Sequence, residues 1–248
     1  MCNQNLEEVV LIAGGSTDAG ISVTNIYFNG PSGGGDFNDA EETISWIAGG
    51  ESGGGFEDEE KGDQIDSDDL TGKEKCLNDL LDKNGDSFVK GIMKNFEGES
   101  EFDIKIISKK NVYKGNDPTN DEVNANCLPP KNNIITIQIS TDKASGRPAL
   151  SVARTILHEY IHADIFRKLK TKEPTSGDLD FRETYEKYRE QFTDEIQHET
   201  MAALYIHSMR DALKDFHKNV LTTDYLKFVE YYGEAPADKF YEALAWQG

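Results

Sequence analysis

Residues 155–166 read TILHEYIHADIF, and two of the chain's five histidines, His158 and His162, stand there four positions apart with Glu159 directly after the first. Four residues advance a helix by about 400°, so on a helix the two imidazoles point the same way, one turn apart. Glu159 then lies within about 100° of both around the axis. The flanks predict a helix over 148–170, with Pro148 suited to its start and Arg167, Lys168 and Lys170 to its last turn. Ala153, Ile156, Leu157, Tyr160, Ile161, Ala163 and Phe166 make most of its circumference apolar, as for a buried helix. Two histidines so placed can share one zinc ion while the carboxylate acts as general base toward a water. The competing explanation is a core helix with incidental polar residues. Burying two imidazoles and a carboxylate without partners costs several kcal/mol, which favours the metal site.

The rest of the chain shows where this helix belongs. Of 248 residues, 37% are hydrophobic and the formal net charge is -20. That charge argues against nucleic acid or an anionic membrane as a general partner. No apolar run reaches the roughly 18 residues of a membrane span, and acidic residues precede the apolar patch in MCNQNLEEVVLIAGG where a signal peptide would be basic. Residues 1–70 hold 16 Asp and Glu against one Lys, together with 13 of the 22 glycines. They are expected to form a disordered acidic linker, because such composition buries too little apolar surface to offset chain entropy. The folded domain is expected at 71–248.

From Thr71 the spacing of Leu77, Leu80, Leu81, Phe88, Ile92 and Met93 predicts two short helices broken near Asn84-Gly85. DKNGD at 82–86 superficially matches a calcium loop, but Ser87 and Met93 stand where its glycine and acid belong, so a turn is expected. FDIKII and NIITIQIS are expected strands, joined by a loop containing Gly115, Pro118, Pro129 and Pro130. Helices follow for most of the remainder. The expected class is α+β.

HEYIH on a buried helix after such a strand resembles the zincin metallopeptidase superfamily. The resemblance implies His158 and His162 as metal ligands, Glu159 as the catalytic base, one Zn2+ per chain, and a peptide or protein substrate. It also implies that the strand before the helix lies at a sheet edge and pairs with an extended substrate. The third-histidine pattern of metzincins is missing from ADIFRKLKT, so the third ligand is sought in DEIQHETMAALYIHSMRDALKDF. His198 resembles the ligand of SprT-like zincins, and Glu199 in ETMA resembles that of glutamate-zincins. The stripe Met201, Ala202, Tyr205, Met209, Ala212, Phe216 carries His198 toward the core, whereas the face of Glu199 meets Arg210 and His217. His198 is therefore preferred, with Glu199 as the alternative. His207 and His217 are expected to be solvated, and Tyr160 and Tyr205 to pack rather than serve as oxyanion donors. Cys76 and Cys127 could pair or remain thiols.

The order of KCLNDLLD, ILHEYIHA, HETMAALY and ALAWQG also resembles uncharacterised HExxH domains at the C-terminal ends of long bacterial secreted or toxin-like proteins. That resemblance implies an extracellular setting within a longer protein, and a monomer is expected. The alternative to a peptidase is a binding or structural module that keeps the zincin fold and metal but cuts nothing. A non-catalytic zinc site has no need of Glu159, which weighs against it.

Overall fold

The computed structural model describes residues 64–98, 100–191 and 196–246. The expected acidic linker falls outside these residues as far as position 63. From Gln64 onward the chain is already part of the fold. Strand β1 (Ile65–Asp66) pairs in parallel with β2 (Asp103–Lys109), and Leu70 is buried in the core. The domain therefore begins before the expected boundary at 71.

Two helices follow, α1 (Gly72–Asn84) and α2 (Ser87–Lys94), separated where the turn was expected. The Asp86 carboxylate accepts from the Val89 amide and so caps α2, which gives that residue of DKNGD a structural use. The short pair β3 (Val112–Tyr113) and β4 (Glu122–Val123) comes next, then β5 (Ala125–Lys131) and β6 (Ile134–Ser140). The main sheet runs β1-β2-β6-β5, with β1, β2 and β6 parallel and β5 antiparallel. Ile104 and Ile106 of β2 and Ile135, Ile137 and Ile139 of β6 alternate onto the buried face, as a period of two requires.

Two sequence expectations are corrected here. The strand before the long helix, β6, is not at the edge: β2 flanks it on one side and β5 on the other. The edge strands are β1 and, beside β6, β5, which comes from the stretch read as a loop. Asn132 and Asn133, at φ 51° and 64°, make the tight two-residue turn that reverses the chain from β5 into β6. Pro129 and Pro130 fall where the register shifts between Leu128 and Lys131. Proline removes a ladder donor and is tolerated only at edges and bulges, so the residues that hid the strand also keep it outermost.

After α3 (Thr141–Ser145), helix α4 (Ala149–Lys170) crosses the sheet with Pro148 at its N-cap. It is buried on nearly every side, since α5 (Ser176–Gln191), α6 (Ile196–Asn219) and α8 (Asp238–Trp246) pack against it along with α1, α2 and the strands. α7 (Thr222–Tyr232) joins α6 to α8. The architecture is α+β: one small mixed sheet and helices that enclose α4. No helix among the described residues is long and apolar enough to cross a membrane.

An ionic cluster fixes α4 against its neighbours. Asp164, 1% exposed, has Arg167 Nε at 3.0 Å and Lys168 Nζ at 2.9 Å, and accepts from Asn95 Nδ2 of α2 at 3.0 Å. Arg167 reaches Asp178 of α5 at 3.0 Å, and Lys168 donates to the Tyr205 hydroxyl of α6 at 3.0 Å. Burial raises the Asp164 pKa, but Lys168 and Arg167 outweigh it and hold the carboxyl below its ordinary value. The cluster sets the rotation of α4 relative to three helices.

Candidate metal centre

His158 and His162 stand on one face of α4, as their spacing requires, and α6 brings His198 to them at its first turns. One nitrogen of each imidazole lies within 4.8 Å of the other two, the only such group of three or more metal-ligating side chains among the described residues. His158 is buried, His162 half-buried and His198 exposed, so the group opens toward solvent through α6. The Nε2 atoms of His158 and His162 are 3.1 Å apart. Two nitrogens held about 2.0–2.1 Å from a tetrahedral zinc ion are separated by roughly 3.3 Å, so the buried pair is already close to that spacing.

A hydrogen bond sets the tautomer of His162. His162 Nδ1 donates to Gln197 Oε1 at 2.8 Å, which leaves Nε2 with its lone pair directed at the cluster. His158 Nδ1 is buried without a hydrogen-bond partner. Burial, then the neighbouring His162, Arg154 and His198, holds the His158 pKa well below its usual value. Burial, then His198, pulls His162 down to about 4, against a smaller upward pull from Gln197. Both rings are neutral at pH 7, the state a metal requires. The three histidines could hold a metal ion.

Neither the family models, the curated proteins nor the solved structures contain a match to this chain. The chemistry of the site therefore rests on its own residues.

Glu159 lies beside the cluster in a cleft of ≈ 710 Å³ that all three histidines line. Only 6% of it is exposed, and burial pushes its pKa up to about 8, partly offset by Arg154 and by a hydrogen bond from the Cys127 backbone. A cation in the cluster would favour its ionised form. The hydrogen bond from Cys127 ties the carboxyl to edge strand β5, whose Ala125, Asn126 and Cys127 form part of the cleft wall. One side of β5 pairs with β6, and β5 is the last strand of the sheet.

Glu199, the alternative third ligand, is half-buried and also lines the cleft, but it does not belong to the close group. The residue that orients His162 is Gln197, which sequence reasoning missed. Its hydrogen bond to Tyr185 of α5 adds a further support behind the ring. The available signal was its place on the same helical turn as His198, with an amide able to accept from an imidazole.

Several other expectations are now decided. Tyr160 donates to Asn78 Oδ1 at 2.9 Å and Tyr205 accepts from Lys168, both buried and neither lining the cleft. They pack, as expected. His217 is not solvated: it is 3% exposed, with Nδ1 2.9 Å from the Tyr241 hydroxyl. It faces α7 and α8 through Tyr225, Phe228 and Tyr241, rings whose contribution lies too far along the chain for helical periodicity to reveal. His207 is half-buried and 3.2 Å from Arg210 Nη1. Cys127 is a free thiol, so it does not pair with Cys76.

Proposed function

We propose that this chain is a zinc-dependent peptidase with a zincin-like fold, in which His158, His162 and His198 hold the metal and Glu159 is the general base. The observation that carries the reading is the convergence of three imidazoles beside a buried carboxylate in an open cleft. A cluster built only for stability has no need of a solvent opening at His198. A zinc ion held there supplies Lewis acidity, which lowers the pKa of a water toward about 7 and polarises a carbonyl.

The chain's own groups supply the remainder. Gln197 holds His162 in the tautomer that presents Nε2. Glu159 takes the proton of the attacking water and delivers it to the departing amine, one residue acting as base and then as acid. The Cys127 amide hydrogen-bonds the Glu159 carboxylate, and the charge of Arg154 favours its ionised form against its burial. The outer edge of β5 offers backbone groups to an extended peptide, the mode in which main-chain hydrogen bonds give affinity and side-chain pockets give specificity. The substrate-pairing role expected of β6 thus passes to β5.

The test is direct. Purified protein loaded with one equivalent of zinc should cleave a mixed peptide library or an unfolded protein. Chelator should abolish the cleavage and zinc should restore it. One zinc bound with no cleavage of any peptide would instead support a metal-containing binding module.

A further inference from the structure

The two walls of the cleft differ in chemistry. The sheet side presents polar groups, among them Lys114, Asn124 and Asn126. Beyond the histidines, the helical side presents Glu199 and then Ala202 and Ile206 of α6, with the buried Met209 continuing their face, joined by Trp246 at the end of α8. Positions 202, 206 and 209 fall at successive turns of one helical face, so they form a continuous apolar stripe leading away from His198. Trp246 is 48% exposed although it is the largest side chain on that wall. Burying a residue of that size is worth about 1.5–3 kcal/mol or more, and the chain has not collected all of it.

Trp246 is held there from the metal-bearing helix. Arg154, buried one turn before His158, donates through Nε to the Leu244 carbonyl at 3.0 Å and through Nη2 to the Ala245 carbonyl at 3.3 Å. Those carbonyls belong to the last turn of α8, where a cation satisfies otherwise orphaned acceptors. The helix that carries His158, Glu159 and His162 thereby fixes the wall that carries Trp246.

We infer that Ala202, Ile206, Met209 and Trp246 form a subsite for a large apolar side chain adjoining the scissile bond, so that the substrates are peptides with Leu, Met, Phe or Trp at that position. The inference rests on the peptidase reading and deepens it. The polar wall and the β5 edge take the peptide backbone, whose hydrogen-bonding groups must be satisfied once water is excluded. The apolar wall takes the side chain, since beyond Glu199 at its histidine end a charged group would lose its hydration and find no partner. The cleft volume of ≈ 710 Å³ suits a short peptide segment of this kind.

The experiment compares zinc-loaded wild type, Trp246→Ala and Ile206→Glu on one peptide library, with cut sites read by mass spectrometry and zinc content and melting recorded for each. Wild type should cut beside bulky apolar residues. Trp246→Ala should lose about 10- to 100-fold in kcat/KM for those peptides relative to peptides with Ala there. Ile206→Glu should move the preference toward Lys and Arg. Cutting with no preference, or beside acidic residues, overturns the subsite and leaves the peptidase reading standing.

If zinc-loaded wild type cuts nothing, binding decides the matter. Trp46→Phe leaves Trp246 as the one tryptophan of the chain's two. Combined with Glu159→Gln and zinc, it allows peptides bearing central Leu, Ala, Asp or Lys to be titrated by fluorescence. A blue shift of Trp246 with the Leu peptide alone supports the subsite even without cleavage. An equal response to all four, or to none, overturns it.

Discussion

Helix α4 carries two buried polar clusters along successive turns, and they are completed in opposite ways. Around Asp164 the charges close on themselves: Arg167 and Lys168 bracket the carboxylate, Asp178 and Tyr205 take what remains, and Asn95 adds a neutral donor. Around His158 and His162 the account stays open. The Nε2 atoms of His158 and His162 have only each other, at 3.1 Å, the exposed His198 completes the group, and Glu159 is buried beside it with its pKa raised. A cluster whose opposite charges are paired positions helices, while neutral imidazoles gathered at the edge of a cleft have lone pairs to offer something from outside. That contrast separates a structural ionic knot from a candidate site without reference to any relative.

Substitution in chelator should break the contrast most sharply. Asp164→Ala leaves Arg167 and Lys168 buried beside a missing partner and should cost about 3–5 kcal/mol in denaturant unfolding. His158→Phe under the same conditions should stay within about 1 kcal/mol of wild type, because it removes an imidazole that was not fully satisfied. Equal losses at the two positions would mean that the histidine cluster is structural after all.

Adding metal should reverse the order of importance. At 100 times its dissociation constant, zinc should stabilise the wild type by about 2.7 kcal/mol. His198→Ala should lose most of that gain and Glu199→Ala should keep it, as competition with a chelating dye would show. If Glu199→Ala empties the site and His198→Ala stays loaded, the third ligand is the carboxylate. Gln197→Leu should weaken zinc about 10- to 100-fold while leaving the fold intact, because it frees the His162 ring without removing a ligand. Gln197→Glu should retain or strengthen binding.

The smallest effect concerns His217, a buried histidine outside both clusters. Burial, only partly offset by a hydrogen bond to the Asp224 backbone, lowers its pKa from 6.5 to about 4. The unfolded chain takes up a proton as pH falls through 6.5, whereas the folded chain resists until about 4. The stability is therefore complete above 6.5 and is lost progressively across that window, on the order of 1–3 kcal/mol. His217→Phe should flatten the slope of stability against pH between 4 and 6.5. An unchanged slope would show that other groups carry it.

Sequence patterns revealed the parts of this protein that depend on local spacing. α4 begins and ends where Pro148 and the basic Arg167, Lys168 and Lys170 placed it, and β2 and β6 lie where alternating isoleucines did. What escaped depends on partners distant in sequence. β5 was concealed by Pro129 and Pro130, which deny a strand its ladder bonds unless it is outermost, and no local pattern says which strand will be. β1 is two residues long and acquires its meaning only from β2. A cut at position 70 therefore removes a strand and the buried Leu70, and should lower the melting temperature where the sequence alone suggested little change. Gln197 and His217 matter through rings on other helices, which a single-helix reading does not reach.

Glu159→Gln asks whether the open cluster does chemistry. The substitution keeps all three imidazoles and the size of the side chain and removes only the proton acceptor. Zinc content, melting temperature and peptide cleavage are measured together on the variant and the wild type. Equal zinc, an unchanged or slightly higher melting temperature and no detectable cleavage are expected. Full cleavage by a zinc-loaded Glu159→Gln protein would contradict the role of Glu159 as general base.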